Sequence, residues 1–125
     1  MPKDIIITAG KVTVEAQLYD TPTVQSIVDK LPITAQAQRW GDEIYFSIPV
    51  TAQLENNSRD VLEIGELGYW PTGNAFCIFF GPTPASQGDE IRAASAVNII
   101  GKIKSDWSGL FNVSSRDSVL IELAS

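Results

Sequence analysis

The sequence predicts a mainly β fold, either a closed barrel or a sandwich, with one helix. Two observations carry this. About eight short runs are rich in Val, Ile, Phe and Tyr, and Gly- and Pro-rich turns separate them. Only one segment shows helical spacing. The chain has 125 residues, which bounds it to a single domain over residues 1–125. With 44% hydrophobic and 19% charged residues it has the composition of a chain that buries a core rather than one that stays disordered.

The elements follow in order. Ile5 to Thr8 is a β-branched run, and Ala9-Gly10-Lys11 is a turn. Val12, Val14, Ala16 and Leu18 then alternate with polar residues, as in a strand with one wet face. Together these predict an N-terminal hairpin. Thr21 is a cap and Pro22 a first-turn residue. Val24, Ile27, Val28 and Leu31 then form one apolar stripe, which predicts a helix over about residues 22–31, stopped by Pro32. Residues 33–39 alternate weakly and Trp40 to Glu43 is turn-like. Ile44 to Val50 is a strand, whose Pro49 points to an edge or a bulge. Residues 55–60 read as an exposed loop. Val61, Leu62 and Ile64 resume β character, and Ala75 to Phe80 is a buried strand. Ala96 to Ile103 is a strand broken by Gly101, about residues 106–110 form a short helical turn, and Ser118 to Leu123 closes the chain.

Composition excludes several functions. There is no histidine, which removes imidazole triads, His-based zinc sites and imidazole proton shuttles. Nine Lys and Arg against fifteen Asp and Glu give a net charge of −6, unsuited to nucleic acid or to anionic lipid. Cys77 is the one cysteine and sits in an apolar run, so it reads as a small core residue. The N-terminus lacks a signal-type apolar stretch, and no window is long and apolar enough for a membrane span. The expected location is therefore the cytoplasm. No phosphate-cradling loop, dinucleotide fingerprint or nucleophile elbow occurs, so no cofactor and no metal are expected, and no catalytic residue is assigned.

Aromatic residues are the densest signal. Trp40, Tyr45, Phe46, Tyr69, Trp70, Phe76, Phe79 and Phe80 fall within one third of the chain. Neighbours on a strand point to opposite faces, so each of the pairs 45/46, 69/70 and 79/80 sends one ring into the core and the other away. The outward rings are candidates for an apolar cleft. Glu43 follows Trp40 and Gly41 closely enough for bulky rings to desolvate its carboxyl. Arg39 and Asn98 are candidates for polar orientation. The candidate cleft is thus Arg39, Trp40, Glu43, Tyr45, Tyr69, Trp70, Phe79 and Asn98, with a peptide or small molecule as its ligand. Self-association into a homodimer through exposed rings or the Pro49 edge competes for the same aromatics.

Three stretches, Trp40 to Pro49, Gly68 to Pro84 and Ala96 to Ile103, resemble in order and spacing the cyclophilin-like family of small prokaryotic single-domain proteins. The opening hairpin and the Thr-Pro-capped helix fit as well. The resemblance covers essentially the whole chain. It implies a closed cyclophilin-type β-barrel with fewer helices than true cyclophilins, and it implies no function. True cyclophilins are prolyl isomerases with a Phe-His-Arg motif followed by Phe-Met-x-Gln-Gly, and neither is present; Arg39 matches only by chemistry. Three readings follow: a binding domain without strong catalysis, an atypical prolyl isomerase, and an enzyme or enzyme subunit acting with a partner chain.

Overall fold

The computed structural model describes residues 2–124. The opening hairpin is present: β1 (Lys3–Ala9) and β2 (Val12–Leu18) pair antiparallel from Lys3↔Leu18 to Ala9↔Val12, turning at Gly10 with φ 59°. Ile5, Ile7, Val14, Ala16 and Leu18 are buried, as the alternation requires.

The helix α1 is Pro22–Val28, and the Thr21 hydroxyl accepts from the Val24 amide at 3.2 Å. It is shorter than the stripe predicts. Lys30 and Leu31 donate instead to Ile27 and Val28, three residues back, so the chain tightens out of the α-helix after Val28. Pro32 is the physical reason, since it disfavours helical geometry in the residue before it.

Eight further strands follow: β3 (Ile33–Gln36), β4 (Gln38–Arg39), β5 (Glu43–Ser47), β6 (Arg59–Leu62), β7 (Glu66–Trp70), β8 (Ala75–Phe79), β9 (Ile91–Ile103) and β10 (Ser118–Leu123). Among the described residues there are thus ten strands rather than about eight. The expected helical turn is a 3-10 segment at Ser108–Asn112. Pro49 lies beyond the end of β5.

The expectation of a closed barrel is corrected. The hydrogen-bonded order is an open path, β3-β10-β1-β2-β9-β7-β8-β5-β4, with β6 paired to β9 off that path. Its two ends, β3 and β4, are joined only through Ala37. That residue spends its own N–H and C=O on Asp117 and Arg116. No ladder links β3 to β4 or β5, so the sheet has two ends where a barrel has none.

Gly101 does not break β9. It pairs with Leu67 on one side and Leu18 on the other. A Cβ there would run into the Gln17 backbone oxygen, so its absence lets β2 close against β9. β9 also starts earlier than its apolar pattern, because its first half is held by β6 through Val61↔Arg92 and Leu62↔Ile91.

Two hydrophobic clusters result. The larger holds β1, β2, α1 and β10 together with Phe46, Tyr69, Phe76 and Phe80. The smaller lies on the opposite face of β5, β7, β8 and β9, around Cys77, Phe79, Ile91, Ala93 and Val97, with Tyr45 and Trp70 packed against it. Each aromatic pair is therefore split: Phe46, Tyr69 and Phe80 enter the larger core, and Tyr45, Trp70 and Phe79 the smaller. Both faces of β8 are buried, so it reads as a continuous apolar run.

Candidate functional site

A cavity of about 250 Å³ opens on the face of the smaller cluster. The turn from Trp40 to Glu43 builds one end of it. Trp40 N donates to Glu43 O at 3.0 Å, Glu43 N returns the bond to Trp40 O at 3.2 Å, and Gly41 takes φ 62° between them. Glu43 and Tyr45 then alternate onto the same face of β5. The register Glu43↔Phe79 and Tyr45↔Cys77 puts Cys77 diagonally across from Glu43. Trp70, at the end of β7, donates from Nε1 to Ser95 Oγ at 2.6 Å. Gly73 makes room for its ring, since a Cβ there would lie 2.9 Å from it. Ala93, Ala94 and Val97 of β9 complete the wall, and the short side chains at 93 and 94 leave the space open.

Glu43 is the one formally charged residue of this wall and is only 6% exposed. Among the described residues no cation pairs with it. Among the described residues the Cys77 thiol is its polar neighbour, and that thiol lies 3.8 Å from the Ala75 carbonyl oxygen, to which it donates. Burial pushes its carboxyl up to about 7, and the thiol contact offsets this only in part. Burial, together with the neighbouring Glu43, pushes the Cys77 thiol well above its ordinary range. Cys77 is therefore a thiol and not a thiolate at neutral pH, with no nucleophilic activation.

The sequence candidates divide. Trp40, Glu43, Tyr45 and Trp70 come together on the cavity. Phe79 is fully buried in the cluster behind it. Tyr69 lies on the other face, in the larger core, where its hydroxyl donates to Val50 O at 2.6 Å and accepts from Ala52 N at 3.2 Å. Arg39 points elsewhere. Its guanidinium donates to Gly41 O and Val113 O at 2.9 and 2.8 Å, pairs with Asp42 at 3.3 Å and lies over Phe80. Asn98 is fully buried and holds a loop: it accepts from Glu55 N at 2.7 Å and donates to Thr23 Oγ1 at 3.1 Å and Gln53 O at 2.9 Å. Sequence reasoning missed Cys77, Ala93, Ala94 and Val97 as wall residues. Their signal is the β5–β8 register and two consecutive alanines in a strand, neither of which local periodicity supplies.

Among the described residues, no group of three or more His, Cys, Asp or Glu is placed to hold a metal ion. None of their helices is long and apolar enough to cross a membrane.

Fold and site together define a mainly β protein with one helix, an aromatic cluster forming a cleft, and no catalytic motif. The chain belongs to the cyclophilin-like family, whose model matches residues 3–122. It is similar to a hypothetical protein of Archaeoglobus fulgidus known from its solution structure, with 46% identity and a TM-score of 0.85 over 98% of this chain and 95% of that one. No curated protein matches.

Proposed function

We propose that this protein is a binding module that takes a small molecule, or a single side chain of a peptide, into the cavity walled by Trp40, Tyr45 and Trp70, without catalysing a reaction. The observation that carries this reading is the buried Glu43 carboxyl in an otherwise apolar, aromatic recess. Such a site offers apolar contact area and one orienting polar group, the usual composition of a small-ligand pocket. At about 250 Å³ the cavity falls below the ~300–1,000 Å³ typical of drug-sized ligands. It is therefore sized for a head group or one side chain, not for a folded peptide. Arg39, the group an isomerase reading would need, has its donors occupied by carbonyls and Asp42, which favours binding over isomerisation.

The test is an amide and indole NMR titration with a proline peptide and a set of small fragments. Trp107, packed against the larger core, serves as an internal control. Binding is expected to shift the Trp40 and Trp70 indoles and leave Trp107 still, with cis/trans exchange of the peptide no faster than uncatalysed. Trp70→Ala is expected to keep the fold and lose the shifts. Accelerated exchange, or shifts confined to other surfaces, would overturn the proposal.

A further inference from the structure

The ligand class follows from what the cavity lacks. The acid in its wall is almost wholly buried, yet among the described residues it has no cationic partner. Burying a carboxyl without a counter-charge is costly, and chains ordinarily avoid it by pairing or by exposure. The cations next in sequence to wall residues are committed elsewhere: Arg39, beside Trp40, to carbonyls and Asp42, and Arg92, beside Ala93, to Glu90 and Asp60 at 2.6 and 2.7 Å. Without a cation the buried carboxyl is relieved by taking up a proton; a ligand cation would relieve it as a carboxylate.

The rest of the wall says which kind of cation. Trp40, Tyr45 and Trp70 present three electron-rich rings, and a cation close to such a ring face is held by its quadrupole. Only Glu43 and Tyr45 among the wall side chains carry acceptor oxygens. A primary ammonium brings three N–H donors and a tightly held hydration shell, which it would have to shed to enter a wall otherwise made of rings, a thiol and aliphatic side chains. A quaternary ammonium brings no donor and sheds water more easily. Ala93 and Ala94 leave room for its methyl groups.

Resting on the binding reading above, we propose that this cavity is an aromatic cage for a methylated ammonium head group, with Glu43 as the counter-ion. Tyr45 and Cys77 are the other titratable groups of the wall. Burial keeps the Cys77 thiol protonated, and the pH response at issue is that of Glu43. The protonated carboxyl attracts a cation less than the carboxylate does, so affinity rises as pH climbs through about 7.

The experiment compares choline with its neutral isostere 3,3-dimethylbutan-1-ol, reading the Trp40 and Trp70 indole resonances. Choline is expected to bind at least about tenfold more tightly than the alcohol, as a desolvated cation–π contact implies. That preference is expected to collapse in Glu43→Gln, which keeps the shape and the fold. Equal binding of the two compounds would overturn the cation assignment and leave a neutral binding cavity. Failure of choline to bind while uncharged fragments shift both indoles would do the same. Failure of every probe at these indoles would overturn the binding reading itself.

Discussion

Two buried polar side chains of one sheet, on strands β9 and β5 with β7 and β8 between them, have opposite surroundings. Asn98 on β9 is fully buried with three hydrogen-bond partners, and it fixes the loop at Gln53 and Glu55 against Thr23 of α1. Glu43 on β5 is nearly as buried, yet among the described residues it has no cationic partner, and an open cavity lies beside it. A buried polar group with all its bonds made serves the fold. One left without a counter-charge weakens the fold and is available to a ligand. The difference separates what holds this protein together from what it offers to a partner.

The comparison is broken most strongly at Asn98. Asn98→Ala leaves Glu55 N, Gln53 O and Thr23 Oγ1 each short of a partner around a fully buried position, and it is expected to cost about 2 kcal/mol. Urea unfolding reads this as a lower midpoint at unchanged slope, and choline affinity of the folded fraction is expected to stay the same.

At Glu43 the sign reverses. Its carboxyl binds a proton more tightly folded, at about 7, than unfolded, near 4.5. The folded state therefore holds the extra proton between those values. This group's contribution to stability is full below the unfolded value, declines as pH rises, and levels off above about 7. The shift corresponds to at most about 3 kcal/mol. Glu43→Gln is expected to raise stability at pH 8 by about 2 kcal/mol and to leave it unchanged at pH 4. Equal unfolding midpoints of the two proteins at pH 8 would contradict this.

The smallest effect is expected at the rim. Ser95→Ala removes one exposed bond to the Trp70 indole and is expected to cost under about 1 kcal/mol in stability. It also frees the Trp70 ring, so choline is expected to bind two- to threefold more weakly, by the same titration.

Much of this was legible in the sequence because local physics sets it. Thr21-Pro22 announces the helix, alternation announces the hairpin, and adjacent aromatics must split between faces. The desolvation of Glu43 was readable from its neighbours. Other features depend on register and were not readable. Cys77 meets Glu43 only because β5 and β8 pair with Tyr45 opposite Cys77. β9 begins at Ile91 because β6 supplies a ladder that its own Arg-Ala-Ala-Ser stretch does not advertise. Tyr69 looked like a cleft residue until the parity of β7 placed it in the larger core. Closure of the sheet depends on whether a seam carries hydrogen bonds, which strand counting does not reveal.

The central claim is that Glu43 is a buried acid without a counter-charge. The most direct measurement is a pH titration of its side-chain carboxyl by carbon-detected NMR, assigned with Glu43→Gln. The account predicts a midpoint at about 7 in the free protein, falling when choline is added. A midpoint in the ordinary carboxylate range, unmoved by choline, would contradict it.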